Sequence, residues 1–74
     1  MERLDLETEW LRGGEIRGVR YKRNDIVRFL DGPFAGELGS VVGLLETEPE
    51  PCYRVTVEAS GVELEMSESS LSAA

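Results

Sequence analysis

The side chains that most enzymes use for catalysis are scarce in this 74-residue sequence. It has no histidine and one cysteine, Cys52, so neither a histidine-based triad nor a typical zinc site is expected. Cys52 follows Pro51, precedes an apolar segment and lacks an obvious base, which favours partial burial over nucleophilic catalysis. Glu63 and Glu65 are predicted on one solvent-facing strand face, where nothing separates an acid from a base. The sequence predicts no enzyme activity, no metal site and no cofactor.

Glycines in the middle of the chain are the other residues that could bind a ligand. Gly32, Gly36 and Gly39 do not have the GxGxxG spacing, and no GK[ST] follows them, so a phosphate-binding loop is not expected. They lie instead around a turn, because Gly and Pro between two apolar runs interrupt a strand.

The residues around these glycines predict a β-hairpin with a long loop. Two apolar runs, 26–30 and 38–45, flank a loop that begins Asp31-Gly32-Pro33. In the first run, Val27 and Phe29 alternate with Arg28, which is the period of a half-buried strand.

A second hairpin is predicted from clean alternation over residues 53–58 and 62–66, with Gly61 in the turn. The alternating Glu and Pro of residues 46–51 predict an extended, solvated connection before it. A single 3₁₀ turn over residues 67–70 and a brief last strand at Leu71 are expected after it. The inward positions predict a core made of Val27, Phe29, Val41, Tyr53, Val55, Val57, Leu64 and Met66.

Residues 1–23 are predicted to form an N-terminal extension. Leu4, Trp10 and Leu11 have the spacing of one side of a short helix, while Leu4 and Leu6 equally fit an extended segment. Trp10 either docks on the sheet or anchors a partner, and docking is the simpler interpretation. Val19 and Tyr21 alternate, which allows a short strand within residues 15–21.

The central hairpin resembles a KOW motif. The residues that carry the likeness are Val27-Arg28-Phe29, Gly32-Pro33-Phe34-Ala35-Gly36, Gly39 and Val41. The C-terminal domains of NusG transcription factors are the nearest likeness, and it covers residues 24–71. The resemblance implies a small five-stranded SH3-like barrel over residues 24–72, in which Gly39 lets the second strand bend. It also implies binding to RNA, ribosomal proteins or transcription machinery.

Charge is spread unevenly along the chain. The formal net charge is −7, and the acidic residues dominate from Glu46 onward. A basic stretch, Arg12–Arg28, is the one candidate phosphate-binding region, although its charges are equally those of a solvated surface. Its candidate contact residues are Arg17, Arg20, Lys22, Arg23 and Arg28. An acidic chain repels nucleic acid at long range, so RNA binding is expected to be weak.

The loop of the central hairpin is the candidate protein-binding surface. Phe34 is an aromatic residue near its apex, flanked by Asp31 and Glu37. Phe34 either contacts a partner or forms a lid over Val27 and Val41. We therefore predict a non-enzymatic, protein-binding adaptor associated with transcription or translation machinery. The alternatives are an RNA-binding KOW domain that uses Arg12–Arg28 and a structural accessory subunit of a larger complex.

The cellular setting is predicted from what the sequence lacks. A lone thiol fits a reducing compartment. Neither a signal peptide nor an apolar run long enough to span a bilayer is visible. The expectation is a cytoplasmic protein without a membrane partner.

Overall fold

The computed structural model describes residues 8–14 and 16–74, which form one five-stranded antiparallel sheet with little helix. The strands are β1 (Ile26–Phe29), β2 (Leu38–Glu46), β3 (Cys52–Val57), β4 (Glu63–Ser67) and β5 (Leu71–Ala73). A 3₁₀ turn, Glu68–Ser70, joins β4 to β5, and residues 8–11 form a helical turn. The predicted all-β class and the strand positions are confirmed, and the bounds of the four long strands differ by at most one residue at either end.

The strands are ordered β4-β3-β2-β1-β5 across the sheet. Gly39 of β2 pairs with Val27 of β1 on one side and with Val57 of β3 on the other, so β2 connects the two hairpins. Strands β4 and β5 are the two edges, and no ladder joins them within the described residues. The sheet is therefore open, and the SH3-like barrel remains a prediction.

Alternation along the strands places one set of side chains in a common core. Six of the eight predicted core residues are fully buried: Val27, Phe29, Val41, Tyr53, Val55 and Val57. Leu64 and Met66 pack against this core but are only partly buried, because β4 is an edge strand with a neighbour on one side. Leu71 of β5 is buried as well and pairs with Phe29.

Two irregularities in β2 add a core residue that alternation does not predict. The register of β2 against β3 shifts between Val41 and Gly43 and again between Leu44 and Glu46. A bulge inserts an extra residue and so reverses which face the following side chains occupy. Leu44 is consequently buried opposite Tyr53, although strict alternation from the buried Val41 would place Leu44 on the outer face.

The segment before β1 contributes two aromatic residues to the same core. Trp10 is 1% exposed and Tyr21 4% exposed, so the predicted docking of Trp10 is confirmed. Leu11, predicted to share the side of Trp10, is 41% exposed, while Leu4 lies outside the described residues. None of the described residues belongs to a helix long and apolar enough to cross a bilayer.

The short strand predicted within residues 15–21 is not present over residues 16–21. Gly18 has a φ of +83°, and the Val19 N–H donates to the Ile16 carbonyl at 3.0 Å. This tight turn reverses the chain, and so it uses backbone groups that a strand would need for pairing.

Candidate interaction surfaces

The loop between β1 and β2 is a compact turn closed by backbone hydrogen bonds. The Gly36 N–H donates to the Phe29 carbonyl at 2.8 Å, and the Glu37 N–H donates to the Phe34 carbonyl at 3.0 Å. Gly32 and Gly36 have φ values of +82° and +89°, which most other residues adopt only with strain. The predicted role of these two glycines in the turn is therefore confirmed.

Phe34 lies at one end of the core. Its ring is partly buried, and its centroid is 6.5 Å from that of Phe29 with a tilt of 48° between the rings. The ring therefore covers part of the core and keeps part of its own apolar surface exposed. Asp31 and Glu37 are exposed in the same loop, and the Ser70 hydroxyl donates to the Asp31 carboxylate at 3.1 Å. The structure thus brings together the three residues predicted to contact a protein.

A shallow groove of about 410 Å³ lies beside this loop. One wall is formed by residues 36 and 37 of the loop with Leu38 at the start of β2, and the other by residues 58 and 59, which follow β3. A hydrogen bond of 3.0 Å from the Glu58 N–H to the Leu38 carbonyl joins the two walls. Leu38 is 37% exposed, and the exposed Glu37 and Glu58 flank it. Sequence reasoning missed the groove because strand pairing alone brings its walls together.

The basic side chains predicted to contact phosphate form two groups. Arg28 is exposed on β1, and its guanidinium donates to the Gly36 carbonyl at 2.9 Å, so it belongs to the β1–β2 loop surface. The others are exposed along the segment that precedes β1 and comprise Arg17, Arg20, Lys22 and Arg23.

Electrostatic contacts of these cations are few in the described part of the chain. The one ion pair found there joins Arg12 to Glu9 at 2.9 Å. The charged side-chain groups of Arg17, Arg20, Lys22 and Arg23 therefore have no carboxylate within 4.0 Å among the described residues. The Arg20 guanidinium lies 5.6 Å from the ring centroid of Tyr21, a cation–π distance.

The buried Tyr53 hydroxyl attaches this basic segment to the sheet. It donates to the Glu68 carboxylate at 2.6 Å and accepts the N–H groups of Arg20 and Tyr21 at 3.2 and 3.3 Å. Glu68 also accepts from the Arg20 N–H at 3.0 Å, and the Trp10 indole N–H donates to the Tyr21 carbonyl at 2.7 Å. No sequence pattern indicates this network. Alternation predicts that the Tyr53 side chain points into the core, but it does not indicate which groups the Tyr53 hydroxyl will bond.

The same network changes the acidity of Tyr53. Burial raises the pKa of Tyr53 well above its ordinary value of 10.0, and the hydrogen bond to Glu68 raises it further, while the Tyr21 N–H opposes the shift. A tyrosine whose pKa is higher in the folded state than in the unfolded state stabilises the fold fully below the unfolded pKa. That contribution is lost as pH rises above about 10.

We expect the urea midpoint of the protein to fall steeply between about pH 10 and pH 11 because the unfolded chain gains a phenolate there. Tyr53→Phe should be less stable at neutral pH, since Glu68 and two N–H groups lose a partner, but its midpoint should fall less steeply over the same range. Urea titrations at each pH measure both slopes. Tyr21→Phe, which retains Tyr53, is the control, and equal slopes for wild type and Tyr53→Phe would contradict the assignment.

Groups with chemical reactivity are dispersed over the described residues. Cys52 is partly buried, with its Sγ 3.8 Å from the Ser67 hydroxyl. Glu63 and Glu65 are exposed, as predicted. The described ranges contain no group of three or more cysteine, aspartate or glutamate side chains arranged to hold a metal.

Comparisons of the chain with family models, curated proteins and solved structures found no match. The resemblance to KOW-type domains therefore depends on the central hairpin residues alone and remains a prediction.

Proposed function

We propose that this domain is a non-enzymatic interaction module that binds a protein through its β1–β2 loop. The observation that carries the proposal is the position of Phe34, whose ring packs on Phe29 and keeps apolar surface exposed. Binding energy in protein interfaces is concentrated in such aromatic anchors. The hydrogen bonds of the loop hold Phe34 in place before binding, so little conformational entropy would be lost on association.

The charges around Phe34 indicate the chemistry of the partner. Asp31, Glu37 and Glu58 are exposed around the loop and its groove, while Arg28 is the basic side chain bonded to the loop. With a net charge of −7, the chain attracts basic surfaces at long range. The proposed partner therefore has an apolar pocket for Phe34 with basic residues at its rim, and the interface is small and weak.

The fold within this proposal is a KOW-type, SH3-like domain. Antiparallel order, a glycine-containing β1–β2 loop and Gly39 within β2 support that assignment. By the same resemblance, the proposed partner belongs to the transcription or translation machinery of the cytoplasm. A permanent place in one such assembly, as an accessory subunit, is the related alternative.

RNA binding is a second candidate function, favoured by the exposed cations of the segment before β1. These four side chains have no carboxylate partner within the described residues. Full use of four cations on single-stranded RNA would give a log–log salt slope of about −3. Trp10 and Tyr21 are buried in the core, so neither ring can stack on bases. Without such an aromatic platform, RNA binding is expected to be weak.

Truncation of Phe34 to alanine is expected to weaken protein binding by about tenfold or more. Truncating a hot-spot aromatic residue usually costs more binding free energy than a tenfold loss of affinity corresponds to. The measurement is a pull-down with the immobilised chain, with and without RNase, followed by titration of the recovered partner. Partners should remain after RNase treatment. A urea titration of Phe34→Ala confirms that the variant is folded.

Leu11→Ala is the matched control, because Leu11 is also an exposed apolar side chain but lies on the N-terminal helical turn. It should bind as wild type does. If RNase removes all partners, and Arg20→Glu with Lys22→Glu abolishes binding while Phe34→Ala does not, the RNA candidate replaces the protein-binding proposal. Recovery in one assembly of fixed composition would assign the accessory-subunit role.

A further inference from the structure

Strand β4 is a sheet edge whose free backbone groups can be identified from the register. Within the described residues it pairs with β3 alone. The Val57 N–H donates to the Val62 carbonyl at 2.8 Å, and the Glu68 N–H donates to the Pro51 carbonyl at 2.8 Å. Because hydrogen-bonded pairs alternate in an antiparallel ladder, the backbone groups of Leu64 face β3.

The backbone N–H and carbonyl groups of Glu63 and Glu65 consequently point away from β3. Such unpaired groups are a template on which another extended chain can form a ladder. Five residues, Glu63–Ser67, make this edge longer than the three-residue β5 at the other side of the sheet. The β4 edge is therefore the better site for an added strand.

The side chains of β4 differ between its two faces. Glu63 and Glu65 are exposed on the outer face. Leu64 and Met66, on the inner face, pair with the buried Val55 and Tyr53 and remain only partly buried. An added strand would extend both faces, since side chains on neighbouring strands meet in cross-strand pairs.

We propose that the β4 edge binds an extended peptide segment in which cationic and apolar residues alternate. Main-chain hydrogen bonds to Glu63 and Glu65 would supply the ladder. Lysine or arginine at every second position would lie beside the two glutamates, and the intervening apolar residues would complete the cover over Leu64 and Met66. This surface is separate from the Phe34 loop, so the inference does not depend on the function proposed above.

Charge decides between the candidate occupants of this edge. A second copy of the chain, paired β4 to β4, would place glutamates beside glutamates, and like charges directly across a ladder are destabilising. The carboxylates of Glu63 and Glu65 would attract a cationic strand and repel an acidic strand. They would repel a neutral, aggregation-prone strand less strongly than an acidic strand. Arg54 lies opposite Glu65 on β3, on the far side of β4 from an added strand. The glutamates are therefore the nearest charges that an incoming strand would meet.

Amide hydrogen exchange of the full chain, followed by NMR, tests the proposal with a capped peptide of alternating lysine and valine as the probe. On addition of peptide, the amides of Glu63 and Glu65 should exchange at least about tenfold more slowly, as expected for amides that gain a ladder partner. A peptide of alternating glutamate and valine should give no protection. A lysine–valine peptide of the same composition, with its residues grouped in blocks, should also fail.

Two variants make the result specific to this edge. Glu65→Pro removes an N–H that faces solvent, keeps the ladder to β3, and should lose binding. The double variant Glu63→Lys with Glu65→Lys keeps the backbone and should reverse the preference to the glutamate–valine peptide. Phe34→Ala should bind the lysine–valine peptide as wild type does, whether or not the Phe34 loop has a partner of its own. Unchanged exchange at Glu63 and Glu65, or equal protection by both alternating peptides, would overturn the proposal.

Discussion

Gly39→Val is expected to lower the free energy of unfolding by about 3 kcal/mol or more. A Cβ atom at Gly39 would lie 2.7 Å from a Val55 methyl carbon and 2.8 Å from the Phe29 ring, both of them buried side chains. Overpacking of a core costs about 1–3 kcal/mol even when the inserted group is small. Valine would insert two methyl carbons in addition to the Cβ atom. A domain of this size has only about 4–11 kcal/mol of stability in total. Circular dichroism and urea denaturation measure the loss.

Gly43→Ala is the matched control in the same strand. Gly43 is also buried, yet a Cβ atom there would lie 3.4 Å from its nearest neighbour, the Cβ of Arg54. We expect Gly39→Ala to cost about 2 kcal/mol and Gly43→Ala less than about 1 kcal/mol. Similar losses for the two alanine variants would show that crowding at Gly39 does not determine the effect.

Trp10→Ala should cost about 3–5 kcal/mol, the usual range for truncating a buried aromatic residue. Trp10 is 1% exposed, and its indole N–H donates to the Tyr21 carbonyl at 2.7 Å, so truncation removes core volume and leaves that carbonyl unpaired. Urea denaturation monitored by far-ultraviolet circular dichroism gives the value without relying on tryptophan fluorescence.

Leu11→Ala is the comparison for Trp10→Ala, because Leu11 is the next residue in the chain and its side chain is 41% exposed. Surface truncations of this kind change stability by about 0.5 kcal/mol or less. Trp10→Phe should fall between the two, because it retains most of the apolar volume and loses the hydrogen bond. A loss below about 1 kcal/mol for Trp10→Ala would mean that the N-terminal segment contributes little to the domain.

The strands could be predicted from the sequence because each has a periodic pattern of its own. Residues 53–57 alternate without interruption, between the Glu/Pro connection of residues 46–51 and the turn that contains Gly61. Leu44 was missed because a bulge in β2 reverses the alternation, and a bulge is set by the pairing of two strands. The alternation of Val19 and Tyr21 allows a short strand, but a turn at Gly18 precedes Tyr21, and the Tyr21 N–H donates to the Tyr53 hydroxyl instead of to a neighbouring strand.

The candidate contact residues were predictable to the extent that they are neighbours in the chain. Asp31, Phe34 and Glu37 belong to one short loop, and the structure keeps them together. Arg28 was grouped with the cations of residues 17–23, yet its hydrogen bond to Gly36 directs it to the loop. The wall of the groove that contains Glu58 was not predictable, because it depends on the pairing of β2 with the residues that follow β3.

The attachment of the basic segment to the end of the chain has a consequence for folding kinetics. The Arg20 N–H bonds to Glu68 and the Tyr21 hydroxyl to the Leu71 carbonyl, across separations of 48 and 50 residues. Phe29 likewise gains its β5 neighbour only when Leu71 is in place. Contacts so distant in sequence impose a large loop-closure cost before they stabilise anything, and chains dominated by them fold in milliseconds to seconds. During synthesis, these contacts can therefore form only after the residues of β5 have left the ribosome.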